Sequence, residues 1–585
     1  MREYIIGIDL GTTNSEVSVV QNGKVIVIEA NGQKIVPSVV GLSHDGALLV
    51  GESAKNQYVL YPENTIISVK RLMGTAEKIV LSNTSYAPQE ISAIILKHLK
   101  SMAETYLQCP VKKAVITVPA YFSDAQRQAT REAGELAGLD VVRIINEPTA
   151  AALAYGANNQ DKKMILVYDL GGGTFDVSVV LLQSQVVEVL ATTGNNHLGG
   201  DDFDLKIVAF LEDHLSSEGI DISQSPKAKA RIRQAAERAK ITLSDHPFVM
   251  IEEEYLLEHD GKPYHLSVEL SRDDYEEMII SFIDETLESV QQALSNANLM
   301  ASEINEVLLV GGSTRTPIIS EKLTAVFGER PRLEIDPDLC VAMGAGIHAG
   351  TMNGEKCDSV LVDVTPYTFG TSCVGMVNGE FSTEMYKPLI LKNTPIPVTK
   401  SDVFYTVHPD QEIIEVHVYQ GENSNALENT EIGKFRVEGL SKMSSYNEDQ
   451  NEIILNFKLD LDGILHVTAK EKRTGLEKKI VINNAISQFT HQDMQNAKKR
   501  IAHLFDENTE DKTSDNASND QHKHAEAIIS NAQNILGKLS GDDKEDIINA
   551  IEAVCDAINS DDQKTLTLTT EKLSDMLFYL EASIA

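Results

Sequence analysis

An apolar run that ends in Asp-Leu-Gly occurs twice in this 585-residue sequence, and the two copies constrain the fold more than any other feature. The copies begin at Asp9 and Asp169, and the second continues through three glycines to Thr174. An apolar strand, a glycine turn and an alternating strand predict a tight hairpin whose backbone N–H groups bind an anion. A carboxylate at the strand end can hold a hydrated cation beside a phosphate. We therefore predict two related lobes that grip one polyphosphate between them.

A third glycine turn, Gly311-Gly312-Ser313-Thr314-Arg315, follows the predicted strand Glu306–Val310. A turn of this kind lets a flat base or a ribose approach the backbone closely. The sequence contains no Gly-x4-Gly-Lys-Ser/Thr loop, which excludes a P-loop enzyme. Gly344-Ala345-Gly346 resembles part of a dinucleotide fingerprint, but no strand immediately precedes it, so we interpret it as a site of close helix packing.

The charge and cysteine content exclude several classes of protein. A net charge of −36 argues against a nucleic-acid partner. The five cysteines have no metal-binding spacing, which is typical of reduced thiols in a cytosol. Because the first residues lead directly into a predicted strand and no apolar run reaches about 18 residues, we expect no leader peptide, no membrane span and a cytoplasmic location.

The pattern of the chain changes at Val364, where helical periodicity gives way to short alternating strands. Alternation at Ile453–Leu461, a turn at Asp462-Gly463 and renewed alternation predict an antiparallel sandwich. Helical periodicity returns near Asp493. The polar run Asp506–Gln521 then predicts a hinge, and three amphipathic segments within Ile528–Leu580 predict a small helical bundle.

In their order along the chain, these motifs resemble the seventy-kilodalton heat-shock chaperone family of the DnaK type. The resemblance implies a two-lobed α/β actin-like (ribonuclease-H-like) ATPase domain over 1–356 and an interdomain linker over 357–363. It further implies an antiparallel β-sandwich that binds peptides over 364–484 and an α-helical lid over 485–585, with the polar hinge near 506–521. The matching stretches are Ile6–Ser15, Val69–Leu72, Ala114–Thr130, Arg143–Tyr155, Tyr168–Val179, Gly194–Asp204, Leu309–Pro317 and Val360–Pro366.

The resemblance implies that the first domain binds ATP or ADP together with Mg²⁺ and K⁺. Asp9 and Asp169 would organise the hydrated cations, and Thr174 would contact a phosphate. Lys70 would lie beside the γ-phosphate and polarise the attacking water, while Glu147 would order the water and the metal shell. The other nucleotide contacts that the resemblance implies are Gly11, Thr12, Thr13, Gly171, Gly172, Gly173, Gly199, Gly200, Glu237, Lys240, Ser244, Gly311, Gly312, Ser313, Arg315 and Asp338.

The resemblance also implies a peptide site and a coupling route. Phe404, Ile414 and Val416 would form the central pocket, and Val374 and Val407 would arch over the peptide. From the residues alone, these side chains would be interpreted as ordinary sandwich core. Thr371 stands where the family usually has an apolar pocket residue, which affects substrate preference. The coupling residues would be Pro119, Arg127, Arg143, Asn146, Leu361 and Asp363, with the J-domain co-chaperone binding near Arg143, Asn146 and Asp363.

The function expected from the resemblance is an ATP-driven chaperone that binds and releases extended apolar segments of unfolded polypeptides. A specialised paralogue with a narrow clientele is the alternative that Thr371 and the interrupted lid favour. An actin-like small-molecule kinase and a cytoskeletal filament protein are two further alternatives, which the C-terminal sandwich disfavours. The acidic run Glu252-Glu253-Glu254 is expected on the exposed edge of the second lobe, and it leaves the docking of a standard nucleotide-exchange factor open.

Overall fold

The computed structural model of the chain describes residues 3–30, 32–82, 84–156, 162–183, 186–259, 261–332, 336–355, 360–377, 379–408, 410–441, 450–481 and 491–510, with positions 550, 553, 569, 572 and 573. Compact packing divides the chain into two units, Met1–Ile501 and Ala502–Ala585. The predicted helical bundle lies outside the described residues except for those five positions. The predicted division of the chain into four parts stays a prediction.

The first lobe, residues 3–156, is built on a mixed sheet with the order β11-β10-β1-β2-β3. Its elements are β1 (Ile5–Leu10), β2 (Asn14–Gln21), β3 (Lys24–Val27), β4 (Val36–Pro37), β5 (Val40–Leu42), β6 (Leu48–Val50), α1 (Glu52–Gln57), β7 (Thr65–Ile66), β8 (Ile79–Leu81), β9 (Thr84–Tyr86), α2 (Pro88–Leu107), β10 (Lys113–Val118), α3 (Asp124–Leu136), β11 (Asp140–Asn146) and α4 (Glu147–Gly156). Strand β1 is apolar except for Asp9 and is buried along its whole length, as expected of a central strand.

The second lobe, residues 162–364, has a sheet with the order β17-β12-β13-β14-β18, and β21 pairs with β18. The predicted hairpin is present: β12 and β13 are antiparallel, with Leu170 opposite Phe175 and Asp169 opposite Asp176. The elements of this lobe are β12 (Lys163–Leu170), β13 (Phe175–Gln183), β14 (Val186–Asn195), α5 (Gly200–Ser217), α6 (Pro226–Asp245), β15 (Phe248–His259), β16 (Lys262–Ser271), α7 (Arg272–Asn296), β17 (Glu306–Val310), α8 (Pro317–Phe327), α9 (Cys340–Met352) and β18 (Val360–Val364).

Two four-stranded antiparallel sheets follow, and they share one apolar core. Their orders are β20-β19-β23-β24 and β22-β25-β26-β27, and the core includes Val418, Phe457 and Val467. The elements are β19 (Phe369–Val377), β20 (Glu380–Ile390), β21 (Pro395–Ile396), β22 (Val398–Tyr405), β23 (Ile413–Gln420), β24 (Thr430–Glu438), β25 (Glu452–Leu459), β26 (Leu465–Glu471), β27 (Glu477–Val481) and, after them, the helix α10 (His491–Glu510).

Of the predicted linker, 357–363, residues Val360–Asp363 extend the sheet of the second lobe, and 357–359 lie outside the described residues. Strand β18 pairs in parallel with β14, with Leu361 opposite Val187, and its last residues pair with β21, with Asp363 opposite Ile396. Leu361 is half-buried against the apolar core of the lobe. The apolar character of Leu361 therefore has a direct cause, because its side chain packs where the backbone of this segment adds a strand.

Helix α10 changes the predicted position of the hinge. Its backbone is helical through Glu510, so Asp506–Glu510, the first part of the predicted hinge, is not a break. Ala497 and Ile501, earlier in the same helix, are buried, and helices in proteins gain most of their stability from such packing. The rest of the predicted hinge, 511–521, lies outside the described residues.

Helix α9 lies so close to the first lobe that its glycines cannot carry a side chain. A Cβ atom on Gly344 would lie 1.8 Å from the carbonyl oxygen of Ala150 in α4, and one on Gly7 would lie 2.2 Å from the nitrogen of Gly346. The interpretation of Gly344-Ala345-Gly346 as close helix packing is confirmed.

Gly344→Ala should therefore destabilise the protein, because a methyl group forces α9 away from α4. Overpacking of this kind costs about 1–3 kcal/mol, and a lower thermal unfolding midpoint would report it. Gly156→Ala is the matched control, since its Cβ would lie an ordinary 3.4 Å from Leu182. Equal midpoints for the two variants would contradict close packing at Gly344.

Candidate functional site

A cavity of about 540 Å³ lies between the two lobes, and the three glycine turns meet in its wall. Most of the predicted nucleotide residues line it. Those that do are Asp9, Gly11, Thr12, Thr13, Lys70, Glu147, Asp169, Gly171, Gly172, Thr174, Glu237, Lys240, Ser244, Gly311, Gly312, Ser313, Arg315 and Asp338. The predicted contacts Gly173, Gly199 and Gly200 do not line the cavity.

These three glycines lie behind the cavity wall, where each allows a close contact that a side chain would block. A Cβ on Gly199 would lie 2.5 Å from the carbonyl of Gly172, and one on Gly173 would lie 2.8 Å from the Thr12 side chain. The N–H of Gly200 donates to the carbonyl of Gly171 at 2.9 Å. The loop before α5 thus supports the hairpin of the second lobe, while the hairpin of the first lobe packs on its other side.

A buried ion pair stands at the closed end of the cavity. Lys70 lies on the short 3-10 turn Val69–Leu72, and its Nζ is 2.6 Å from Oε1 of Glu147, the first residue of α4. Only 5% of the Lys70 side chain and 10% of the Glu147 side chain are exposed. Truncating one member of such a pair would leave the other as an uncompensated buried charge, so each side chain stabilises the other in this position.

Two further carboxylates in this region lack the positive charge that would keep them ionised. Asp9 accepts a hydrogen bond from the Thr117 hydroxyl at 2.7 Å, yet burial and then the charge of Glu147 raise its pKa to about 7. Burial and then Glu147 also raise the pKa of Asp169 well above its ordinary value. The Oδ2 atom of Asp169 is buried and finds no hydrogen-bond donor among the residues that the structure describes.

These carboxylates fit a cation. A positive ion would offset the mutual repulsion and would take the unused oxygen of Asp169. Within the described residues, no group of three or more His, Cys, Asp or Glu side chains could hold a metal by itself. A cation here would therefore take water and phosphate oxygens as well, which suits Mg²⁺ because it retains several waters in most protein sites.

The other end of the cavity combines α6 with the third glycine turn. Glu237, Lys240 and Ser244 occupy successive turns of one face of α6, as the spacing of three and four residues requires. Lys240 is held by Asp204 at 2.8 Å, and Arg315 by Asp338 at 2.7 Å. This end presents paired charges and glycine backbone, in contrast to the unpaired carboxylates at the closed end.

A chain of hydrogen bonds connects the closed end of the cavity to the C-terminal strands. Asp176, opposite Asp169 in the hairpin, accepts from the N–H groups of Ala120 and Tyr121 at 3.1 and 3.0 Å. The carbonyl of Tyr121 accepts from the hydroxyl of Tyr367 at 2.7 Å, and the two tyrosine rings lie 4.7 Å apart. The sequence analysis missed Asp176 and Tyr367, since each is an unremarkable residue of its own segment.

The predicted coupling residues surround this loop. Pro119 follows β10 directly, and the buried guanidinium of Arg127 donates to the carbonyl of Ala120 at 2.9 Å and to Oδ1 of Asn146 at 2.7 Å. Asp363 accepts from the Thr149 hydroxyl at 2.9 Å. The predicted set is thus brought together where the first lobe meets the linker strand.

The turn Asp462-Gly463 also contacts the first lobe. The Asp462 carboxylate accepts from the N–H of Ile144 at 2.9 Å, contacts Arg131, and lies 3.8 Å from Nε of Arg143. Nearby, the N–H of Leu465 donates to Asp124 at 3.0 Å. The edge of the C-terminal strands is therefore attached to the first lobe by charged and backbone groups.

The predicted peptide residues divide by burial. Val374 and Val407 are 44% and 55% exposed, Phe404 and Ile414 are half-buried, and Val416 lies in the core that the two sheets share. Thr371 is buried, and its hydroxyl donates to the carbonyl of His417 at 2.6 Å. Thr371 therefore adds no unsatisfied polar group to the sheet. The peptide-binding role of this set stays a prediction.

The expectation of an exposed acidic edge on the second lobe is wrong at one position. Glu252 and Glu254 are exposed, but Glu253 is buried and contacts the guanidinium groups of Arg231 and Arg238. Alternation along β15 turns its side chain inward, toward α6. The edge carries less negative charge than the run of three glutamates indicates.

A comparison with family models identifies one match, to the Hsp70 protein family, which covers residues 5–584. This match confirms the resemblance that the motifs indicated. Among the described residues, no helix is both long enough and apolar enough to cross a membrane.

Asp9 gives the stability of the protein a defined pH dependence. An acid whose pKa rises on folding binds its proton more tightly in the folded state, so stability is lost as the pH rises from 3.8 to about 7. Without nucleotide and with cations chelated, the thermal midpoint of Asp9→Asn should therefore rise relative to that of the wild type as the pH increases across this range.

Asp221→Asn is the control with the opposite sign. Hydrogen bonds from Ser223 lower the pKa of Asp221, so its replacement should lose stability relative to the wild type as the pH rises. A constant difference in midpoint between Asp9→Asn and the wild type would show that folding does not raise the pKa of Asp9.

Proposed function

Since this chain belongs to the Hsp70 family, we propose that it is an ATP-dependent chaperone that binds and releases extended apolar segments of unfolded polypeptides. Members of this family are ATPases that bind unfolded substrates and co-chaperones. The observation that carries the proposal for this chain is the cavity in which the Lys70–Glu147 pair and Asp169 face two glycine hairpins.

We assign hydrolysis to charge placement around the transferring phosphoryl group. The backbone of both hairpins and the hydroxyls of Thr12, Thr13 and Thr174 would cradle the phosphates. Lys70 would stabilise the charge that develops on the γ-phosphate and orient the attacking water, and Glu147 holds the Lys70 ammonium in place. Asp9 and Asp169 would hold hydrated Mg²⁺ and K⁺, which supply further positive charge when bound.

The adenosine would occupy the other end of the cavity. Glu237, Lys240 and Ser244 of α6 would face the ribose and base from one side, and Gly312 and Arg315 from the other. Asp338 would act through Arg315, whose guanidinium it holds at 2.7 Å. The glycine turn suits this role because a Cβ on Gly312 would already lie 3.0 Å from Asp338.

Coupling to peptide binding would run through the linker strand and Tyr367. Strand β18 pairs with β14 and leads into the two four-stranded sheets, which are called the two-sheet region. Tyr367 contacts the loop whose N–H groups donate to Asp176. A J-domain co-chaperone would dock beside Arg143, Asn146 and Asp363, where it would change the contacts of Asp462. A nucleotide-exchange factor would meet an outer edge at which Glu253 is neutralised.

A chaperone of narrow clientele is the second candidate, and Thr371 favours it. The hydroxyl of Thr371 donates to the carbonyl of His417, so Thr371 offers a client peptide less apolar surface than a leucine or isoleucine would. A weaker preference for large apolar side chains in the client peptide is the consequence under this proposal.

Lys70→Ala should keep nucleotide binding and slow single-turnover ATP hydrolysis by about 10²–10³, the usual effect of removing one charge from a transition-state site. The matched control is Lys322→Ala, which removes an exposed lysine paired with Asp284 at 3.4 Å. Hydrolysis at the wild-type rate in Lys70→Ala, with binding intact, would remove this lysine from the mechanism.

Tyr367→Phe should reduce the stimulation of ATP hydrolysis by an unfolded apolar peptide about two- to tenfold, the range expected for one neutral hydrogen bond. The ring contact with Tyr121 remains, so only the hydroxyl is tested. Tyr386→Phe is the control, because its hydroxyl bonds the carbonyl of Thr368 at 3.2 Å within the two-sheet region. Equal losses in both variants would mean that Tyr367 contributes only to general stability.

A further inference from the structure

Glu16 is an acidic residue in the wall of the cavity that the proposed mechanism does not use. It lies on β2 directly opposite Asp9, and residues paired in this way project on the same face of a sheet. Its relative exposure is 2%, and it lines the cavity together with Asp338 and Val341. A carboxylate in this place is therefore both buried and directed at whatever fills the cavity.

The carboxylate of Glu16 has no protein partner in the described part of the chain, where neither a hydrogen bond nor an ion pair reaches it. The charged groups that face it are Asp9, Asp338, Glu147 and Lys70, three acids and one base. Lys70 is committed to Glu147 at 2.6 Å. Burial first, and then Asp9 and Asp338, raise the pKa of Glu16 well above its ordinary value.

Other buried acids of this chain show how such a group is normally satisfied. Glu253 contacts two arginines, and Asp176 accepts from two backbone N–H groups. Glu16 has neither kind of partner, and Oδ2 of Asp169 in the same cavity is also unpartnered among the described residues. A buried polar group without a partner is costly, so its persistence points to a ligand that supplies the missing positive charge.

We propose that Glu16, with Asp9, binds one hydrated divalent cation of the Mg²⁺ type in addition to the Mg²⁺ and K⁺ that Asp9 and Asp169 would hold. This inference rests on the proposed nucleotide site, because phosphate oxygens would complete the coordination. A hydrated divalent ion fits better than a dehydrated one, since the described residues offer no group of three acidic or imidazole ligands.

The test counts bound ions instead of measuring turnover. Mn²⁺, a spectroscopic substitute for Mg²⁺, is titrated into the full chain saturated with ADP, and electron paramagnetic resonance reports the unbound ion. The wild type should bind one more Mn²⁺ than Glu16→Gln. Asp245→Asn removes an exposed carboxylate from the rim of the same cavity and should bind as many ions as the wild type.

Thermal unfolding without nucleotide gives a second readout that also shows whether the variant folds. In chelator, the midpoint of Glu16→Gln should exceed that of the wild type by a few degrees, because the amide does not repel Asp9. Excess Mg²⁺ should reduce this difference.

Three results separate the possibilities. Equal Mn²⁺ counts with a midpoint difference that Mg²⁺ does not change would overturn the proposal and make Glu16 a neutral buried acid. Loss of the additional Mn²⁺ on adding K⁺ would overturn the divalent assignment in favour of a monovalent ion. If the wild type does not bind ADP at all, the proposed function fails, which is distinct from failure at Glu16.

Discussion

The close packing of one glycine-rich hairpin against the threonines of the other is the constraint on which the rest of the structure depends. Gly172 and Gly173 of the second-lobe hairpin lie against the side chains of Thr13 and Thr12, and within the second lobe Gly199 lies against the carbonyl of Gly172. A Cβ added at Gly172 or Gly173 would lie 1.8 Å from Oγ1 of Thr13 or 2.8 Å from Cγ2 of Thr12 and would push the two hairpins apart. The cavity, the position of Lys70 beside Glu147 and the support from the loop before α5 all follow from this approach.

The sequence predicted local structure well because the signals for it are local. The strand Glu306–Val310 has the predicted bounds, and the family match confirms the resemblance that the glycine turns indicated. Alternation in β15 predicts that Glu253 points inward, but the arginines that neutralise it lie on α6, which the pattern of β15 does not indicate. The helical backbone at Asp506–Glu510 likewise differs from what the polar composition of this segment predicts.

The residues that sequence reasoning missed share one property: their roles arise from contacts between distant segments. Tyr367 contacts a loop 246 positions earlier, and Asp124 meets a strand 341 positions later. Asp176 and Glu16 are close in sequence to recognised motifs, but their importance depends on strand register, which sets them opposite Asp169 and Asp9. The sequence pattern of an alternating strand does not show which residue an acid faces on the neighbouring strand.

The linker strand has a consequence for the solution behaviour of the protein. While β18 is paired, the backbone groups of Val186, Val187 and Glu188 are part of a continuous sheet. When it leaves, this segment of β14 becomes an unprotected edge with unpaired N–H and C=O groups, the kind of surface that recruits strands from other chains. If this segment detached, the protein would expose such an edge, so Val360, Leu361 and Val362, which pair with it, would also protect the protein from self-association.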